Sequence, residues 1–182
     1  MAHRPPSPLK PAVSTRLQET NMSLTAPTDA SALRAAFSCF PSGVTAISSV
    51  IDGEAVGMAV SAFTTVSLDP PLISVSIQNS SRTWQKLRTA GRIGVSVLSH
   101  QHSAHARQLS LKAGDRFSGI PWDVSDTGAM FVQGSPARFE CSLYREIEAG
   151  DHSIALLEIH YLDADPTSAP LVFHASAFRQ LA

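Results

Sequence analysis

Apolar and polar positions along this chain alternate in short runs far more often than they recur at helical spacing. From Leu72 to Ile77 the alternation is strict: Ile73, Val75 and Ile77 fall on one side, Ser74 and Ser76 on the other, the period of two that a half-buried strand imposes. Ile93 to Leu98 repeats the pattern. Ala137, Phe139, Cys141 and Leu143 alternate with Arg138, Glu140, Ser142 and Tyr144, which predicts an antiparallel strand with one face in the core and one wet. Ser153 to Tyr161 and a last run from Pro170 to near Leu181 are predicted strands too. Earlier, an extended run from Val44 to Val50 meets Asp52-Gly53 and returns from Ala55. That pair suits a type I′ hairpin turn, whose two central residues both need positive φ. Asp69-Pro70-Pro71 ends the return run, since proline cannot donate to a ladder.

Helical spacing is confined to a few places. Leu33, Ala36, Phe37 and Phe40 recur at three- and four-residue steps behind Thr28 or Asp29, which predicts a capped helix through Cys39 with one face buried. Pro41 and Gly43 end it. Arg82 to Arg88 is a second short helix, capped by Ser80 or Ser81, with Trp84 and Leu87 facing inward. Ser99 opens a third. Leu109 to Trp122 is expected to be a helix end and irregular loop anchored by Phe117 and Trp122. The sum is roughly six or seven short antiparallel strands with two or three flanking helices and no βαβ rhythm, a mostly β fold.

Composition narrows the classes. The 182 residues, 43% hydrophobic and 16% charged, suffice for one domain with a proper core. A net charge of −1 gives no bulk attraction to nucleic acid or an anionic membrane, and no apolar run is long enough to span a bilayer. Residues 1–28 hold Pro5, Pro6, Pro8, Pro11 and Pro27 without periodicity and without the apolar centre of a secretory signal. They are expected to be a disordered tail, with 29–182 as the domain. Cys39 and Cys141 form no CxxC pair and are expected to be buried free thiols, which points to a reducing compartment, the cytoplasm. Of His100, His102 and His105 only the last two share a helix face, and no Cys or carboxylate stands close in sequence; a solvated polar face is expected there, and no metal site. No GxGxxG follows a strand, and GxSxG, HExxH and paired carboxylates are missing, so dinucleotide-fold and hydrolase chemistry have no carrier.

What remains is a chemistry of small side chains. After the first hairpin come Ala59, Ser61, Ala62, Thr64, Thr65 and Ser67, residues slight enough for a flat ligand to reach the backbone and be read along its edge. The junction at Ser80-Ser81 gathers free N–H groups and the positive end of a helix dipole, suited to a phosphate, with Arg82, Lys86 or Arg88 as candidate cations. Gly150-Asp151-His152 is a tight turn that sets a histidine at a strand start.

The run Gly57-Met58-Ala59-Val60-Ser61-Ala62-Phe63-Thr64-Thr65-Val66-Ser67-Leu68-Asp69-Pro70-Pro71-Leu72 resembles the signature of the flavin reductase-like family. The likeness extends from about Leu33 to the C-terminus through Ser81-Arg82-Thr83, Asp115-Arg116-Phe117, Gly150-Asp151-His152 and Pro170-Leu171-Val172-Phe173-His174. It departs at Ser176 and Phe178, where the family commonly has Gly and Tyr. The resemblance implies an antiparallel split β-barrel that binds FMN or FAD and takes hydride from NADH or NADPH. It implies that backbone at Ala59, Val60, Ser61 and Ala62 grips the flavin edge, that Ser61 and Ser67 add hydroxyls, and that Ser81 and Thr83 hold the phosphate. Phe117 would lie near the flavin, and His152 would seat the nicotinamide as the catalytic residue. It further implies a homodimer with flavin between subunits and a partner monooxygenase fed with reduced flavin. Two alternatives stay open: a flavin-binding storage or electron-relay module, and a reductase of another acceptor such as a corrinoid or quinone.

Overall fold

The computed structural model describes Leu24, Ala26, Pro27 and residues 29–181; apart from those first three residues, the predicted tail lies outside the described part. In chain order the elements are α1 (Ala30–Phe37), β1 (Ser42–Gly43), β2 (Thr45–Ile51), β3 (Glu54–Val60), β4 (Phe63–Leu68), β5 (Pro71–Gln78), α2 (Arg82–Leu87) and β6 (Ile93–Val97). A 3-10 turn (His100–His102) runs into α3 (Ser103–Leu109), followed by β7 (Trp122–Val124), β8 (Met130–Val132), β9 (Ala137–Ala149), β10 (His152–Ala164), β11 (Val172–His174) and β12 (Ala177–Arg179).

Seven strands form one antiparallel sheet in the order β3-β2-β6-β9-β10-β5-β4. The chain passes from β3 at one edge to β4 at the other through only Ser61 and Ala62, so the sheet must roll until its edges are neighbours. The result is an antiparallel barrel left split along β3. Inside it Ile47, Val75, Ile93, Val95 and Leu157 are buried with Trp84 and Leu87 of α2, each such side chain worth about 1.5–3 kcal/mol by removal from water. Asp52 and Gly53 take φ of 52° and 80°, as the predicted hairpin requires.

A second cluster, Val44, Leu98, Leu109, Val132 and Leu171, joins α3 and β8 to the small sheet β1-β11-β12. Here the hairpin β7–β8 lies across β2 and β6. It comes close because the strands beneath carry Ser48, Gly94 and Ser96. Ser48 Oγ donates to the Met130 carbonyl (3.0 Å), and the Val132 N–H donates to Ser96 Oγ (3.0 Å).

Six expectations need correction. α1 is capped by Asp29, whose Oδ1 accepts from the Ala32 N–H (2.7 Å), yet no residue of it is buried; Phe37 and Phe40 are 70% and 78% exposed. The stripe is present, but the strands close the barrel without it. The last run is a hairpin and not one strand, turning at Ala175 and Ser176, both with positive φ. The Phe117–Trp122 stretch is only partly irregular, since Trp122 opens β7 and pairs with β8. Cys39 is exposed, whereas Cys141 is buried and its thiol is pushed up to about 12 by burial and by Glu140. The histidine segment is not a solvated face, because His102 is buried, accepts at Nδ1 from the Ser99 N–H (3.1 Å) and stacks on His105. Glu140, assigned to the wet face of its strand, is likewise buried, where Thr127 and Arg92 engage it.

Candidate functional site

The split is a groove of about 360 Å³ lined by Met58 to Ala62 on one side, Ser76 to Gln78 on the other, and Ser81 and His152 at its ends. Its walls follow from the pairing. β4 covers β5 only as far as Phe63 opposite Val75, and β3 among the described residues pairs with β2 alone. Past Val75, then, two strand margins face each other with main-chain donors and acceptors left over. One hydrogen bond crosses, from the Ser76 N–H to the Ala62 carbonyl (3.1 Å). Because Ala59, Ser61, Ala62 and Ser76 carry little bulk, that backbone is reachable, and Met58 and Ile77 supply apolar surface. Such a slot suits a flat ring with polar edges.

Ser81 is held at the groove by α2. Its Oγ accepts from the Trp84 N–H (3.2 Å) and lies 3.6 Å from Met58 Sδ. Trp84 is buried and donates from Nε1 to Glu146 Oε1 (2.6 Å), which pins the helix to β9. Glu146 also pairs with Arg88. Arg88 is therefore committed, whereas Arg82 and Lys86 line a cavity.

His152 begins β10, opposite Gln78 of β5 and Ala149 of β9. It is half-buried, and its Nδ1 lies 2.7 Å from Asp151 Oδ1. The hydrogen bond to His152, and then the imidazole's charge, hold the Asp151 carboxyl below its ordinary value. A carboxylate that accepts from Nδ1 fixes the ring and leaves Nε2 for a ligand.

Thr83 and Phe117 do not line the groove. Both border a second cavity of about 420 Å³ that continues from Gly57 along β3, between α2 and the segment Gly114 to Phe117. Phe117 packs on Trp122 with ring centroids 5.3 Å apart, and the N–H groups of Phe117 and Ser118 donate to Asp115 Oδ1. Ser67 lines neither cavity. The chain breaks at Ser61-Ala62 and carries β4 to the other side of β5, where Ser67 sits opposite Leu72, away from the split. Sequence reasoning passed over Ser76, Ile77 and Gln78, which reach β3 only through the rolling of the sheet. It also passed over Arg116, whose signal was the Asp115-Arg116-Phe117 element. Among the described residues no group of three His, Cys, Asp or Glu gathers as a metal set, and no helix is long and apolar enough to cross a membrane.

Fold and groove together define the class: an antiparallel split barrel with an open groove between two strand margins. The family model of the flavin reductase like domain matches residues 37–182. A flavin reductase of Pseudomonas putida is 36% identical over 146 residues, 80% of this chain and 86% of that protein. The reductase subunit of a flavin-dependent monooxygenase from Rhodococcus jostii is 32% identical over 76% of this chain and 71% of its own length. Among solved structures, the NADH:FAD oxidoreductase of Streptomyces globisporus in complex with NAD and FAD fragments superposes with a TM-score of 0.83 at 32% identity, covering 88% of this chain and 98% of that one. The chain belongs to the flavin reductase-like family.

Proposed function

We propose that this protein is an NADH-dependent flavin reductase, with FAD as its flavin, that supplies reduced flavin to a partner monooxygenase. The observation that carries the reading is the pair of facing strand margins, Met58 to Ala62 and Ser76 to Gln78, with His152 at the rim. A flavin ring matches this slot: it is flat, apolar on its faces and polar along its edge. When nicotinamide and flavin are bound, hydride passes between them, so the protein needs no nucleophile or general acid of its own. Its residues do the holding. Backbone at Ala59 to Ala62 meets the ring edge, and Ser81 lies where the ring's chain leaves the groove. His152, fixed through Nδ1 by Asp151, offers Nε2 to the nicotinamide carboxamide.

Relatives support the finer points. The Streptomyces globisporus protein, described as an NADH-dependent FAD reductase, is 34% identical over 86% of this chain. A monooxygenase partner is supported by the reductase subunit from Rhodococcus jostii. We also place two copies together, on the exposed apolar stripe of Leu33, Phe37 and Phe40. The cytoplasm is assigned on the free thiols Cys39 and Cys141.

The test is a steady-state assay with NADH, NADPH, FMN and FAD. Sustained NADH oxidation that depends on added FAD supports the reading. Flavin that binds and stays oxidised under excess NADH would make the chain a flavin-binding module instead. His152→Ala should slow reduction by about ten-fold or more while flavin affinity changes much less; unchanged turnover removes His152 from the mechanism.

A further inference from the structure

β9 and β10 pair as far as Ala149 opposite His152, which leaves only Gly150 and Asp151 in the loop between them. Gly150 takes a φ of 67° and Asp151 does not share the positive sign, the pattern of a type II′ turn. Rotating the peptide between these two residues converts such a turn to type I′. Asp151 would then enter the left-handed region, which aspartate tolerates. That rotation swings the root of the carboxylate that holds His152 Nδ1 at 2.7 Å. A fixed imidazole needs this peptide fixed, and Asn79 fixes it. Asn79 follows β5 and sits in a turn of its own, closed by the Ser81 N–H on the Gln78 carbonyl (2.9 Å). Its Nδ2 donates to the Gly150 carbonyl (3.1 Å), the acceptor of the peptide that would rotate. Its main-chain N–H donates to the Asp151 carbonyl (3.0 Å). Its Oδ1 accepts from Ser153 Oγ (2.8 Å), which turns the amide so that Nδ2 faces Gly150. Asn79 thus grips residues on both sides of His152 without touching the ring.

We infer that Asn79 is the positioning residue of His152: by holding the Gly150 carbonyl it keeps the hairpin in the form from which Asp151 reaches the imidazole. This rests on the reductase reading of the groove and deepens it. Asn79 is exposed and does not line the groove, so it acts on the nicotinamide only through the turn. Its neighbours do line it. Gln78 is groove wall, and Ser81 stands at the groove's end as the cap of α2. The four residues from Gln78 to Ser81 therefore set the flavin's wall and the nicotinamide's histidine from one turn, with the second task falling to Asn79.

The test is a double-mutant cycle on Asn79 and His152, read by stopped-flow reduction of FAD with NADH and by fluorescence titration of FAD binding. Loss of the amide's bond to the turn predicts that Asn79→Ala slows reduction about three- to ten-fold, with FAD affinity changed less than about two-fold. Asn79→Asp keeps the acceptor for Ser153 but cannot donate to the Gly150 carbonyl, so it should be at least as slow. Ser153→Ala only frees the amide to turn and should lose less. In His152→Ala the clamp has nothing left to place, so adding Asn79→Ala should slow reduction by less than about two-fold more. Losses that multiply in the double variant would give Asn79 an effect of its own and overturn the inference. An Asn79→Ala protein with the wild-type rate overturns it too, as does a fall in FAD affinity as large as the fall in rate. Should Asn79→Ala fail to fold, Asn79→Asp and Ser153→Ala enter the same cycle. If His152→Ala keeps the wild-type rate, the role given to His152 falls, and the inference with it. A wild type that binds no flavin overturns the reductase reading itself, and both roles with it.

Discussion

Gly94 should be the glycine at which a single methyl group does the most damage. A Cβ built there lies 2.0 Å from the Met130 carbonyl oxygen and 2.7 Å from its carbon, backbone atoms that no rotamer change can move. Ordinary contact requires the β7–β8 hairpin to retreat on the order of 1.4 Å. That motion pulls apart the bonds from Ser48 Oγ to the Met130 carbonyl and from the Val132 N–H to Ser96 Oγ, both 3.0 Å. Two hydrogen bonds at about 1 kcal/mol each, with overpacking at about 1–3 kcal/mol, give roughly 3–5 kcal/mol. For a domain of this size that lowers Tm by roughly 6–20 °C. Thermal unfolding of Gly94→Ala followed by circular dichroism measures it, with Gly91→Ala as the control, since a Cβ at Gly91 meets nothing within 4 Å. A Gly94→Ala protein that melts within about 2 °C of wild type would refute the packing described for the hairpin.

Stability should also depend on pH through His102. Burial, followed by the neighbouring His105 and His100, lowers its pKa, against a hydrogen bond with the Gln133 backbone that raises it. The unfolded chain therefore takes up the proton first as pH falls, so stability is full above the ordinary histidine value of about 6.5 and declines below it. Urea unfolding between pH 7.5 and 5.5 should show that decline, and His102→Gln should flatten it; an unchanged slope would remove His102 as the source. Ser176 has φ of 58° in the β11–β12 turn. Ser176→Gly relieves a conformation that costs a residue with a Cβ about 1 kcal/mol, and Tm should rise by a few degrees. A lower Tm would mean that the turn is not left-handed.

The strands were legible because alternation is a local signal: Ile73, Val75 and Ile77 are buried as their spacing requires. Caps and tight turns were legible for the same reason, as with Ser81 on the Trp84 N–H and Asp52-Gly53 in the hairpin. What the residues could not convey is which distant segment each one meets. Ser61-Ala62 gave no sign of being the point where the chain changes edges, since small residues are as content in a strand as in a link, and that change carries Ser67 to the far side of β5. The apolar stripe of α1 predicts burial only if something within the chain covers it. Thr83 was expected beside Ser81 on one ligand group, yet the two line adjoining cavities, because positions two apart at a helix start do not share a face. One signal was available and passed over: an isolated glycine inside a strand, Gly94, marks a close backbone approach.

Hydrogen–deuterium exchange with and without FAD tests the central claim most directly, that the exposed margins of β3 and β5 are where the flavin lies. The account predicts slowed exchange at Met58 to Ala62 and Ser76 to Gln78, with the far strands β6 and β9 unchanged. Binding of FAD that protects some other surface and leaves both margins exchanging at their free rates would contradict it.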